Sequence, residues 1–260
     1  MKIVVLCKYV PNATSERKFV DGDHTTDRVG VDGLLSELDE YAVEEAMKIK
    51  EAGDAQVTIL TVGPAAAADA VRKALQMGAD AGVHVVDDSL HGSDALATSL
   101  VLAKALEKVG EFDLVMCGMA STDGEMGVVP AMIAERLGLP HVGYLGDLTV
   151  ADGTVTGRRD GDVATEHVSA PLPAVVGVTD QINEPRYPSF KGIMAAKKKP
   201  VETWSLADLG VSPDEVGLSA AWTVVGSVAK RPPRGHGEVV ADAGDGGSRL
   251  VEFLASKKFV

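Results

Sequence analysis

Four short apolar runs punctuate the first half of the chain: Ile3-Val4-Val5-Leu6-Cys7, Val57 to Val62, Val83 to Val86 and Leu114 to Cys117. None alternates cleanly with polar residues, so each reads as a strand buried on both faces, the habit of a parallel sheet. Helical spacing follows each run and predicts helices over about 39–52, 66–77, 93–108 and 127–137. In the first, Val43, Ala46, Met47 and Ile49 mark the buried face, Glu44 and Lys48 are spaced for an i,i+4 pair, and Gly53 stands at the C-cap. Pro64 and Gly78 bracket the second helix. Ser93 reads as the N-cap of the third, with Gly110 closing it. Pro130 sits in the first turn of the fourth and Gly138 ends it. Strand and helix alternating four times predict an α/β fold, Rossmann-like and doubly wound around a mostly parallel sheet.

The rhythm changes after Pro140. Leu148-Thr149-Val150, Asp152-Gly153 and Val155 read as a β-hairpin with an Asp-Gly turn, 163–168 as a further strand and 174–178 as another buried one. Residues 12–35 form a long polar excursion in the first crossover. From 219 to 247 the chain holds little apolar material and many Gly and Pro residues, with Leu250, Val251 and Leu254 marking a short amphipathic helix at the end. The organisation expected is an α/β domain over 1–200, which includes a distinctive segment at 183–200, followed by an extended arm over 201–260.

Composition narrows the function classes. In 260 residues, 45% are apolar and 24% charged, ordinary for a globular chain that needs no disulfide framework. A formal net charge of −13 and an aromatic content of 4% speak against a phosphate-neutralising or base-stacking surface for nucleic acids. Cys7 and Cys117 each end an apolar run and read as buried, reduced thiols. No apolar stretch approaches the ~18 residues of a membrane span, so a soluble, cytoplasmic protein is expected.

Ligands of doubly wound sheets bind at the carboxyl ends of strands where strand order reverses. Two strand ends carry chemistry: Lys8-Tyr9-Val10-Pro11-Asn12, and Gly118 through Gly127, which leads straight into the fourth helix. Glycines there let a ligand approach the backbone, and free N–H groups at the helix start can hold a phosphate; a structural loop with ordinary caps is the competing reading. Neither G-x-G-x-x-G after the first strand nor a Walker lysine is present. Asp21, Asp23, Thr25, Asp27 and Asp32 resemble a calcium loop but place Thr26 where glycine is required, which favours a solvated loop. His84 and His91 with Asp87 and Asp88 match no zinc spacing, and Ser121 lies in no nucleophile elbow. No metal site and no catalytic residue is assigned. In 183–200, prolines restrict the lead-in, one aromatic is expected to be exposed and a short basic helix follows; an exposed aromatic ringed by lysines is interface-like, and a loop with a solvated lysine run is the competing reading.

That segment, Asn183-Glu184-Pro185-Arg186-Tyr187-Pro188-Ser189-Phe190-Lys191-Gly192-Ile193-Met194-Ala195-Ala196-Lys197-Lys198-Lys199-Pro200, closely resembles the electron transfer flavoprotein beta subunit family. The resemblance extends over nearly the whole chain through Lys8 and Val10-Pro11, Ala42 to Ala46, Leu75 to Asp80, Ser121 to Gly124 and Leu172 to Val175. It implies a subunit that pairs obligately with an alpha subunit. The alpha subunit holds most of the site for a redox FAD, and the beta subunit buries a structural AMP and wraps its partner with the C-terminal arm. Electrons then pass from acyl-CoA dehydrogenases and related flavoenzymes to a quinone oxidoreductase, the subunit itself being a carrier and not an enzyme. In one branch of the family a second FAD replaces the AMP. The AMP contacts fall on Leu6, on Ser36, Glu37, Leu38 and Asp39, on Val62, and on Gly118, Ser121, Thr122, Asp123, Gly124, Glu125, Met126, Gly127, Val128 and Val129. Leu38, Ala13 and Asp160 fall near the flavin. Partner recognition falls on Pro185, Arg186, Tyr187, Pro188, Ser189, Phe190, Lys191, Ile193, Met194 and Lys197, with Phe190 as the anchor. Where the family carries polar Thr and Gln side chains, this chain has Met126 and Val128, so the backbone takes over the phosphate. A stand-alone adenine-nucleotide binder on the same sheet is the alternative, but it explains neither 183–200 nor the arm.

Overall fold

The structure, a computed structural model, describes residues 1–237 and 239–260. Residues Met1–Gly226 form one compact unit and Ser227–Val260 a second. In chain order the first unit holds β1 (Lys2–Leu6), β2 (Tyr9–Pro11), β3 (Gly33–Leu35), α1 (Glu37–Ala52), β4 (Gln56–Val62), α2 (Ala68–Met77), β5 (Ala81–Val85), α3 (Ala95–Val109), β6 (Leu114–Gly118) and α4 (Val129–Leu137). It continues with β7 (His141–Leu145), β8 (Asp147–Ala151), β9 (Thr154–Asp160), β10 (Thr165–Pro171), β11 (Ala174–Val178), α5 (Phe190–Ala196), β12 (Val201–Trp204), α6 (Leu206–Leu209) and α7 (Gly217–Ala220).

Seven strands make one sheet in the order β12-β5-β4-β1-β6-β11-β7, every neighbouring pair parallel. The unbroken apolar runs are what such a sheet needs, because helices cover both faces. Successive residues of β1 point to opposite sides. Ile3 and Val5 pack with Ala42, Val43 and Met47 of α1 and Val71 and Leu75 of α2. Val4 and Leu6 pack with Val101 and Leu106 of α3 and Ile133 of α4. The chain leaves β1 toward β4 and β5, then crosses back to β6 on the other side. That reversal opens a crevice between the carboxyl ends of β1 and β6.

The hairpin reading holds. Asp152 and Gly153 join β8 to β9 with φ of 50° and 71°, the two left-handed residues of a type I′ turn. Four local readings are corrected. Lys48 bonds Glu45 at 2.9 Å and not Glu44, because Glu44 is taken by Arg186. The third helix is capped by Asp94, which accepts from the Ala97 N–H at 3.0 Å, while the Ser93 hydroxyl accepts from Gly217 N at 2.9 Å. The strand expected at 163–168 lies at 165–171, with Val163 fully exposed at the turn before it. β12, formed by residues read from sequence as the start of an arm, is the sheet's edge strand beside β5. The second unit contains α8 (Gly246–Ser256), of whose residues none is buried. Among the described residues no helix is long and apolar enough to cross a membrane.

Candidate functional site

The crevice is built by the first turn of α1. Ser36 N donates to the Lys8 carbonyl at 2.8 Å, and Asp39 Oδ2 accepts from Lys8 N at 2.8 Å, which locks the helix start to the end of β1. At the end of β6, a Cβ on Gly118 would lie 2.6 Å from the Leu38 carbonyl and 2.7 Å from Asp39 Oδ1, so only glycine lets α1 close on that strand. Burial pushes the Asp39 carboxyl up to about 7, against the N–H bonds from Lys8 and Gly118.

Two helix N-termini open here without side-chain caps. α4 begins after Val128, which has no polar atom to offer. α1 begins after Ser36, whose side chain makes no cap; its Oγ is buried and has no hydrogen-bond partner. The first N–H groups of a helix have no partner within it and attract anions.

The loop from β6 to α4 is held from below and from the side. Lys8 Nζ donates to Ser121 Oγ at 3.3 Å and to Asp123 Oδ1 at 2.8 Å. Arg28 Nε and Nη2 reach Asp123 Oδ2 at 3.2 and 2.5 Å. The Asp123 side chain is completely buried. Burial works to raise its carboxyl, but the facing Lys8 and Arg28 charges hold it well below the usual carboxylate range. The loop turns where Gly124 N bonds Asp123 Oδ1 at 2.7 Å. Arg17 donates to the Pro11 and Thr122 carbonyls at 3.0 and 2.9 Å. Tyr144 has a φ of 60°, a backbone that bulky residues rarely take, and it sets its hydroxyl on the Gly127 carbonyl at 3.2 Å. Gly127, at φ +65°, has no room for a Cβ, which would lie 2.6 Å from that hydroxyl.

Leu6, 36–39, Gly118 and 121–129 therefore converge at one strand-end crevice, with Val62 at the end of the neighbouring β4. Beside it a pocket of about 650 Å³ is lined by Ala13, Glu37, Leu38, Tyr41, Thr122 and Glu125, among others. Asp160 is not among its lining residues and instead bonds Arg158 at 3.1 Å and Thr165 at 2.9 Å. The other candidates have structural partners. His84 Nε2 lies 3.1 Å from the Gly63 carbonyl, and Asp23 and Asp27 accept from N–H groups of their own loop. Burial pushes the Cys7 and Cys117 thiols up. Among the described residues no cluster could hold a metal ion.

The chain matches the electron transfer flavoprotein domain over residues 23–209. It is 51% identical, over 99% of both chains, to electron transfer flavoprotein subunit beta of Mycobacterium leprae (strain TN). The chain belongs to the electron transfer flavoprotein beta-subunit family. It is also 33% identical to the subunit beta of Megasphaera elsdenii, over 99% of this chain and 97% of that one. It is 35% identical to the caffeyl-CoA reductase-Etf complex subunit CarD of Acetobacterium woodii, over 92% of each.

In this member of the flavoprotein family, 183–200 lies on α1 and α2. Asn183 Nδ2 donates to the Tyr41 carbonyl and to Glu45 Oε2, both at 3.0 Å. Arg186 turns inward onto Glu44 and Glu51 of α1. Ser189 caps α5 by accepting from Gly192 N at 3.0 Å. Tyr187 and Phe190 point outward, 93% and 80% exposed, with Met194 and Ile193 partly exposed on the same short helix. The residues that sequence reading missed are Arg17, Arg28, Tyr144 and the inward role of Arg186. Arg17 and Arg28 had one signal: they are cations within an acidic excursion.

Proposed function

We propose that this chain is the beta subunit of a heterodimeric electron transfer flavoprotein, an electron carrier of the cytoplasm and not an enzyme. It works between acyl-CoA dehydrogenases or related flavoenzymes and a quinone oxidoreductase. FAD, held mainly by the alpha subunit, supplies the redox chemistry when bound. This chain's residues bind a structural AMP, shape the beta side of the flavin pocket through Ala13 and Leu38, and present 185–197 to the electron donor. Asp160 belongs to the flavin side by family resemblance. Residues 201–260 include the arm that packs on the alpha subunit.

The observation that supports AMP best is the buried, unpartnered Ser36 Oγ beside two uncapped helix N-termini. A buried hydroxyl without a partner costs ~1–3 kcal/mol, and a ligand hydroxyl or phosphate oxygen relieves it. Lys8 and Arg28 neutralise Asp123, so the loop does not repel an anion. With Met126 and Val128 apolar, and with the Gly124 and Glu125 N–H groups donating within the loop, the phosphate rests on backbone N–H groups of Met126 to Val129. The chain expressed alone is expected to be colourless. Co-expressed with its alpha subunit it is expected to be yellow, with one FAD per heterodimer and AMP released on heating. Flavin on the isolated chain overturns this reading; two flavins per heterodimer assign the chain to the branch with a second FAD.

A further inference from the structure

Arg186 lies near the start of the exposed segment, yet its guanidinium is engaged by carboxylates of its own chain. Its Nε and Nη2 meet the two carboxylate oxygens of Glu44 at 2.7 and 3.0 Å. Nη2 also meets Glu51 Oε2 at 3.1 Å, and Nη1 meets Glu51 Oε1. The Arg186 backbone N–H adds a bond to Glu44 Oε2 at 3.1 Å. Glu44 is only 6% exposed, so the pair is a forked ion pair anchored on a buried carboxylate, the geometry that fixes a planar guanidinium in one orientation. Asn183, three residues earlier, is held on the same helix. Tyr187 and Phe190, which follow this clamp in the chain, are the segment's two aromatics and both are exposed. An exposed anchor docks well only if it is not free to wander in the unbound state, because ordering it on binding subtracts from affinity.

We infer that Arg186 is a positioning residue for docking of the electron donor, acting through Glu44 and Glu51 of α1 and not by touching the donor. This rests on the reading of 185–197 as the docking segment. The clamp fixes the take-off of Pro188 and α5 from α1, so Tyr187 and Phe190 start from one orientation. A lysine in its place keeps the charge but not the fork, and cannot engage both carboxylates in the same way.

The test uses the FAD-loaded heterodimer. Hydrogen–deuterium exchange of peptides spanning 187–196 is measured without donor. Flavin reduction is then followed at varied concentrations of an acyl-CoA dehydrogenase pre-reduced with its acyl-CoA. Arg186→Gln and Glu44→Gln are each expected to speed exchange in those peptides and to raise the apparent KM for the dehydrogenase on the order of tenfold, with kcat and FAD content unchanged. The double variant is expected to be no worse than the more affected single one, because both break one interaction. Arg186→Lys is expected to fall between wild type and Arg186→Gln; it also serves as the test variant if the Gln variants melt early. A raised KM in Arg186→Gln with a normal KM in Glu44→Gln overturns the inference and makes Arg186 a donor contact. Unchanged exchange in both overturns it as well. A normal KM in Phe190→Ala overturns the docking reading instead, and leaves the exchange data to judge the clamp.

Discussion

Helices α5 and α8 both carry apolar side chains in exposed positions, and they are held by opposite means. On α5, Phe190 is 80% exposed and Met194 47%. On α8, Leu250 is 58%, Val251 59% and Phe253 47% exposed. Helices this short are marginal in water by themselves. α5 has seven residues and exists because its surroundings fix it. Gly192 lies so close to α2 that a Cβ there would be 2.4 Å from the Gln76 carbonyl. Ala196 is buried, and Lys199 Nζ bonds the Leu75 carbonyl at 3.0 Å. α8 is organised locally: Asp242 Oδ1 accepts from Gly244 N and Gly246 N at 2.8 and 2.9 Å, and Asp245 pairs with Arg249 at 2.8 Å. An apolar face on a pinned frame is pre-organised for transient docking. A face on a helix with no buried residue gains its order from whatever covers it.

The largest effect is therefore expected from removing the second unit. Deletion of Ser227–Val260 is expected to abolish heterodimer formation, read as loss of co-purification and of yellow colour, while the melting transition of Met1–Gly226 persists. A truncated chain that binds the alpha subunit with native affinity would show the arm to be dispensable and break the comparison.

Next is Phe190→Ala. A central aromatic anchor is typically worth ~2 kcal/mol or more, so donor docking is expected to weaken by roughly tenfold or more. Melting temperature, FAD and AMP content should stay unchanged because the ring is not core. Dehydrogenase-dependent flavin reduction slows at sub-saturating donor, whereas dithionite reduction does not. Equal rates for wild type and variant would remove Phe190 as the anchor, and a large loss of stability would place it in the core.

How far these differences could be read from sequence depends on how local their causes are. The four apolar runs and the Asp152-Gly153 turn are local signals and led to the right elements. β2 and β3 were not legible, since Tyr9-Val10-Pro11 pairs across an excursion with Gly33-Leu34-Leu35. β12 was missed because Val201-Glu202-Thr203-Trp204 is a half-polar edge strand, which gains its place only beside β5. The same holds for the site. The strand-end location of the candidate site follows from topology, and its residues were expected from the resemblance. The clamp of Arg28 on Asp123 spans 95 positions and that of Arg186 on Glu44 spans 142; neither has a local pattern. The Glu44–Lys48 spacing even pointed to the wrong partner, because helical periodicity places both residues on one face and does not report what packs over it.

A smaller effect separates pinning from capping on α5. Ser189→Ala removes the hydroxyl that accepts from Gly192 N, a change worth ~1 kcal/mol at an N-cap. Since α2, Arg186 and Lys199 still hold the ends, docking is expected to weaken by no more than roughly fivefold, the whole of that ~1 kcal/mol, measured as apparent KM for the reduced dehydrogenase. A loss as large as that of Phe190→Ala would mean that the cap, not the tertiary anchors, keeps α5 in place.

The smallest effect is the pH response of the pinned segment. Hydrogen bonds from Arg186 hold the Glu51 carboxyl below its ordinary value. A carboxylate depressed in the folded state contributes stability above its unfolded pKa, and that contribution is lost as pH falls through the folded value. The unfolded pKa of Glu is ~4.3, so the Arg186–Glu51 contact is complete throughout the neutral range and begins to loosen only in acid below it. Glu51 is exposed, and solvent screening keeps its contribution modest. Exchange protection of 187–192, corrected for the intrinsic pH dependence of exchange, is expected to be flat from pH 8 to about pH 5 and to decline below about pH 4. In Glu51→Gln the acid decline should shrink while the neutral value falls slightly, since Glu44 still holds the guanidinium. Protection that changes between pH 6 and 8 would implicate a different titrating group and make α5 responsive in the range where the structure has it fixed.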